Sequence, residues 1–160
     1  MTWLPYQRPS SLRALLRTPV LRNLHEAWSG FGSAWHLPTV DQMDAGAPDW
    51  DELSLAEVVR HQGSPAFRLV RVGAALSQRA GRPLLEEWIG AAPPHPAEDP
   101  LGGAAYAYGR CLATAKPSHE YGHFDFGDGP PLLFERLLLP LGQGLTPTHI
   151  LCGAVFSGAP

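Results

Sequence analysis

Five consecutive residues, His119, Glu120, Tyr121, Gly122 and His123, spell the H-E-x-x-H pattern of zinc hydrolases. That chemistry needs a helix, on which imidazoles at i and i+4 share a face and the glutamate stands beside the metal-bound water. The surroundings here predict a strand. Pro117 closes whatever helix precedes the motif, Gly122 lies inside it, and Phe124-Asp125-Phe126 alternates into a Gly127-Asp128-Gly129 turn. On a strand the two histidines stand about 13 Å apart at roughly 3.3 Å per residue, beyond the reach of nitrogens each about 2 Å from one zinc. No third ligand follows at a recognised spacing. The pattern is expected to be fortuitous and no metal is assigned; a metal-dependent hydrolase using His119, Glu120 and His123 is the enzymatic alternative.

Other reactive side chains form no constellation. His25, His36, His61, His95 and His149 are scattered, with no local signature for haem. A nucleophile elbow of the G-x-S-x-G type is absent. Gly102-Gly103 lacks the lysine of a phosphate loop and fits close helix packing better. The two cysteines, Cys111 and Cys152, make no CxxC pair and read as small buried apolar residues. No catalytic residue is assigned, and the chain is not expected to be an enzyme.

The elements that must position these side chains begin with helices. Ser10 can cap a helix over 11–17. Thr18-Pro19 joins an N-cap to a proline at the first helical position and starts a second helix over 19–29, stopped by Gly30. Val20, Leu21, Leu24, Ala27, Trp28 and Phe31 recur at three and four residues and make one of its faces apolar. Residues 32–53 read as a wrapped loop with at most a short helix around Val40–Met43. Leu55–His61 and Ala66–Val72 read as a hairpin about Gln62-Gly63-Ser64-Pro65. Gly73–Arg82 has no clear period, Pro83–Ile89 reads as a short amphipathic helix, and Ala91–Glu98 as a proline-rich connector. Asp99-Pro100 opens a helix over 100–115 that buries Leu101, Ala104, Ala105, Tyr108, Leu112 and Ala115. Strands are predicted over 119–126, 132–139 and 148–156. In the second of these, Leu133, Glu135, Leu137 and Leu139 share one face, and Leu132, Phe134, Arg136 and Leu138 the other. Both faces are apolar enough to need cover, and the helix at 19–29 is a candidate for one of them. Two hairpin groups separated by helices argue for an α+β layer design around an antiparallel sheet.

Composition sets the bounds on function. The chain has 160 residues, of which 44% are hydrophobic and 17% charged, enough for one packed domain with a helical extension. A net charge of −3, with Lys116 the only lysine, offers no basic footprint for nucleic acid. No run approaches the roughly 18 apolar residues of a membrane span, and the start MTWLPYQRPSS lacks signal-peptide anatomy. A cytoplasmic protein is expected.

Three stretches carry a family resemblance. Phe67-Arg68-Leu69-Val70-Arg71-Val72-Gly73 resembles the second strand of a bacterial family of stand-alone PAS-like proteins. Glu135-Arg136-Leu137-Leu138-Leu139-Pro140-Leu141 is similar to that family's fourth strand, and Trp35-His36-Leu37-Pro38 to the segment before its sheet. The likeness spans residues 34–156 and matches the element order of PAS domains: two strands, a helical middle, three strands. It departs at Gly81-Arg82-Pro83, where the family tends to place Thr-Gly. The resemblance implies a PAS-like five-stranded antiparallel sheet with central helices on one face, formed by residues 32–160, and an N-terminal helical extension over 1–31. It further implies a sensory or regulatory module that binds a small molecule or a signalling protein partner, and a homodimer through the N-terminal helices. In that layout Trp88, Tyr106, Tyr108, Arg110, Phe124, Phe134 and Arg136 are candidates to line a pocket between sheet and helices, and an arginine there would favour a carboxylate or phosphate. Aromatic residues that are plain core, and arginines turned to solvent, are the alternative, as is an adaptor with a filled core and no ligand. Light-sensing flavin chemistry of the PAS type needs a cysteine in an Asn-Cys-Arg-Phe-like setting, which Cys111, between Arg110 and Leu112, does not have. No cofactor is assigned.

Overall fold

The computed structural model describes residues 12–46, 49–61, 63–81, 83–89, 91–92, 95–96, 104–124 and 132–157. Two short helices come first, α1 (Leu12–Leu15) and α2 (Pro19–Phe31). Thr18 is the extended N-cap of α2, and Pro19 occupies the position where a missing N–H costs nothing. The helix passes through Gly30, where a stop was expected, and ends at Gly32, whose N–H donates to the Trp28 carbonyl at 3.1 Å. Packing of Trp28 and Phe31 against the core outweighs the roughly 1 kcal/mol helix penalty of one glycine. A third helix, α3 (Val40–Gly46), opens with a reciprocal capping box: Thr39 N–H donates to Gln42 Oε1 at 2.9 Å, and Gln42 N–H to Thr39 Oγ1 at 3.2 Å.

The sheet begins with β1 (Leu53–His61) and β2 (Ser64–Val72), a hairpin in which His61 faces Ser64 across the turn at Gly63. Gly63 has φ +81°, the left-handed region a tight hairpin turn requires. The stretch without a clear period becomes α4 (Ala74–Ala80), closed by Gly81 at φ 71°. Pro83–Ile89 is not the amphipathic helix its pattern predicts. Glu86 lies at φ 68°, Leu69 N–H donates to the Glu87 carbonyl at 2.9 Å, and Trp88–Ile89 forms β3 along the edge of β2. An open sheet edge and burial of Leu84 and Ile89 reward pairing over a helical turn here. Two dipeptides of the proline-rich stretch pair as β4 (Ala91–Ala92) and β5 (His95–Pro96).

The longer central helix is α5 (Ala104–Thr114); its expected first residues, with Asp99-Pro100, lie outside the described ones. It buries Ala104, Ala107, Tyr108 and Cys111, so its inward face is rotated from the one predicted: Ala105 and Leu112 are only half-buried. The last three strands are β6 (Ser118–Phe124), β7 (Leu132–Gln143) and β8 (Thr146–Ser157). The Gly127-Asp128-Gly129 turn lies outside the described residues. β7 and β8 run longer than expected, because Leu141 is still buried and pairing continues to Gln143 opposite Thr146. Pro140 is tolerated in β7 because β6 pairs only as far as Leu138, leaving one edge open there.

The strands are ordered β3-β2-β1-β8-β7-β6, all antiparallel to their neighbours. This is the expected five-stranded sheet with one dipeptide added at its β2 edge. Its two faces carry separate cores. On the inner face Leu76 of α4 and Tyr108 and Cys111 of α5 pack over Phe67, Phe134, Leu138, Ile150 and Cys152. On the outer face Leu16, Leu21 and Leu24 of the N-terminal segment and Met43 of α3 cover Leu53, Leu55, Leu137, Leu139 and Leu151. The alternation expected in β7 is the one observed, and the apolar face of α2 is engaged by its own sheet.

Candidate functional site

Register brings a polar group into the inner core. Arg136 on β7 stands opposite Glu120 of β6 on one side and Ala154 of β8 on the other. Arg136 is 4% exposed, its Nε donates to Glu120 Oε1 at 2.6 Å, and its Nη2 contacts the same oxygen. Its Cζ lies 5.0 Å from the centroid of the Phe134 ring. Beside it is a cavity of about 20 Å³ lined by Ser54, Leu76, Phe134, Arg136, Cys152, Ala154 and Phe156, room for about one water. Ser54 lies across from Cys152 between β1 and β8, and its buried hydroxyl neighbours the Tyr108 hydroxyl and the Cys152 thiol.

The predicted lining residues divide. Phe134 and Arg136 line the cavity. Tyr108 lies in the same core, edge-on to Phe67 at 5.3 Å between centroids, its hydroxyl pKa raised by burial and by Cys152. Tyr106 projects from α5 at 78% exposure, and Arg110, also exposed, donates from Nη2 to Ser118 Oγ at 3.1 Å. Trp88 is half-buried on β3, opposite Arg68. Phe124 ends β6, and its side chain lies outside the described residues. Sequence reasoning missed Ser54, Leu76, Cys152, Ala154 and Phe156; a lone serine among apolar strand residues was the one available signal, and its neighbours depend on pairing.

Burial pushes the Cys111 thiol up to about 12, with Cys152 adding to the shift, and burial raises Cys152 as well. Both cysteines are free and buried, and burial disfavours the thiolate that covalent chemistry requires.

A second polar cluster occupies the outer face, one residue away. Glu135, 5% exposed, accepts from the backbone N–H of Arg17 and of Thr18, each at 3.0 Å, at the junction of α1 and α2. His119 Nε2 is 3.4 Å from Glu135 Oε2, Tyr121 donates its hydroxyl to the Leu15 carbonyl at 2.6 Å, and Arg17 Cζ lies 4.7 Å from the Tyr121 ring centroid. Burial raises the Glu135 pKa, but the neighbouring Tyr121 hydroxyl and the hydrogen bonds from the Arg17 and Thr18 amides outweigh it and lower the value to about 2. Next to this clasp an open groove of about 440 Å³ runs along Tyr121, Leu133, Glu135 and Val155.

The H-E-x-x-H residues are thereby distributed as a strand distributes them. All five lie on β6; His119 faces the outer clasp and Glu120 the inner core. The histidine and the glutamate point to opposite sides of the sheet, so they cannot share a metal-bound water. Among the described residues, no three His, Cys, Asp or Glu side chains gather as a metal site.

No family model matches the sequence. No curated protein matches it either. Among solved structures, the LOV protein of Rhodobacter sphaeroides aligns with TM-score 0.49 and 14% identity over 69% of this chain. The chain spans 61% of that protein's length. A fungal LOV domain photoreceptor aligns with TM-score 0.49 and 14% identity over 94% of this chain and 99% of its own. A variant of RsLOV gives TM-score 0.48 and 12% identity, covering 90% of this chain and 71% of its own. The element order here, two strands, helices, then three strands closing one antiparallel sheet, is the order expected. The fold is PAS-like. In this PAS-like domain the Arg136 cavity lies between the sheet and α4.

Proposed function

We propose that this chain is a PAS-type sensory module that binds a small molecule at Arg136 and reports it through the N-terminal helices. The observation that carries this is the pairing of two sites on adjacent residues of one strand. Arg136 presents a buried guanidinium to the inner cavity, and Glu135 holds the α1–α2 junction on the opposite face. β6 repeats the arrangement, with Glu120 inside and His119 and Tyr121 outside. A shift of the β6–β7 pair caused by a ligand on one face is therefore felt by the clasp on the other. Tyr108, Phe134 and Arg136 are proposed as the ligand-facing residues of this site. Residues 1–31 act as output extension and 32–160 as sensing domain.

The finer reading follows the family resemblance: a cytoplasmic, non-enzymatic regulator of the bacterial stand-alone PAS-like type, acting as a homodimer and passing its signal to a protein partner. Among the described residues, no helix is long and apolar enough to cross a membrane.

Native mass spectrometry of gently purified full-length protein tests the ligand claim. A small molecule retained by the native chain and lost in Arg136→Gln supports it. Retention unchanged in that variant overturns the site. No retained molecule, with no thermal shift from any metabolite class, favours the filled-core adaptor, which the small volume of the cavity also suits.

A further inference from the structure

We infer that the Glu120 carboxylate is a resident competitor for Arg136, and that a small monocarboxylate with an apolar tail enters by exchanging with it. The inference rests on the sensory reading above and names the ligand class and the switch. Arg136 and Glu120 are unequal partners: the arginine side chain is 5% exposed and the glutamate side chain 36%. A guanidinium does not lose its proton in a protein, so a buried one needs an anion at all times. Glu120 sits on β6, the outermost strand on that side, and its carboxylate can turn into water at little cost. Arg136 cannot follow, being held between Phe134 and its strand neighbours.

The chemistry of the incoming group follows from what Glu120 leaves behind. A carboxylate satisfies a guanidinium in two parallel bonds, and one positive charge calls for one negative charge. A dianion would bring uncompensated charge into the core. The adjoining cavity is walled by Leu76, Phe134, Ala154 and Phe156, and the Ser54 hydroxyl, which neighbours Tyr108 and Cys152, lines it. Its volume of about 20 Å³, added to the place of the departing carboxylate, admits a short tail only. Glu120 lies between His119 and Tyr121, which face the Glu135 clasp, so its exit moves the strand that carries the outer contacts.

The test uses the full chain with acetate and propionate as probes, and propionamide and chloride as controls, read by calorimetry and thermal shift. Glu120→Gln removes the competitor and keeps the shape. It is expected to bind acetate or propionate at least tenfold more tightly than the native chain and to gain more thermal stability from either. Arg136→Gln in the same background is expected to abolish both effects. Should Glu120→Gln fold poorly, Glu120→Ala restored by formate, and not by chloride, gives the same answer. Equal or weaker carboxylate binding in Glu120→Gln overturns the exchange. If the native chain still retains a molecule that Arg136→Gln loses, the sensory site stands without the exchange; if neither probe nor any retained molecule binds, both fall.

Discussion

Glu135 is the residue on which the outer face turns. Its carboxylate accepts from two backbone N–H groups, beside the Tyr121 hydroxyl, where the chain leaves α1 and enters α2. Hydrogen bonds to a charged acceptor are each worth about 1.5–3 kcal/mol, and losing them also strands buried donors. Glu135→Ala is expected to lower unfolding stability by about 2–3 kcal/mol in chemical denaturation. The pH dependence has a definite sign. The folded pKa of about 2 lies below the ordinary 4.5, so the contribution is complete above that ordinary value. It declines as the pH falls below 4.5 and is gone once the pH passes about 2. The stability gap between the native protein and Glu135→Gln should therefore close on acidification. A gap that stays constant across that window would show that the carboxylate charge is not what holds the junction.

At the scale of elements, α2 and the sheet meet through a glycine. A Cβ on Gly153 would stand 2.6 Å from Leu21 Cδ2 and 2.9 Å from Leu24 Cδ2, inside normal contact. These are the ends of flexible side chains, so one methyl can be partly accommodated, but a branched side chain cannot without moving the helix. Gly153→Val is expected to cost about 1–3 kcal/mol through overpacking. Hydrogen exchange should locate the loosening in α2 and spare α5, which packs on the other face. Protection lost equally in both helices would mean that the two cores do not respond separately. The strand hairpins, the Thr18-Pro19 helix start and the two-sided character of β7 were legible from local chemistry, since turn residues and a period of two are written in neighbouring positions. β3 was not, because Pro83–Ile89 has a helical spacing and only the free edge of β2, absent from any local window, gives it a partner.

Across the whole molecule, both faces of one sheet are covered within a single chain. Without residues 1–31, Leu53, Leu55, Leu137, Leu139, Leu141 and Leu151 would lose Leu16, Leu21 and Leu24 and keep only Met43 and its neighbours as cover. The truncated chain is expected to melt lower and to self-associate nonspecifically, as large exposed apolar patches do. The proposed homodimer must use what α1 and α2 leave outward, including the exposed Leu15 and Val20. Sedimentation should show a discrete dimer for the full chain at high concentration. A clean monomer both with and without residues 1–31 would remove the homodimer from the account.

The sequence alone established that the H-E-x-x-H residues lie on a strand, because Pro117, Gly122 and the Phe124-Asp125-Phe126 alternation are local facts of backbone preference. Period two also assigned Glu135 and Arg136 to opposite faces. What no local reading could supply is the partner of each. Register across β6, β7 and β8 comes from long-range pairing, and it alone decided that Glu120 neutralises Arg136 inside the core while His119 joins Glu135 beneath the N-terminal helices. A motif that spells metal chemistry thus became two halves of a through-sheet connection, because a strand sends adjacent side chains to opposite sides.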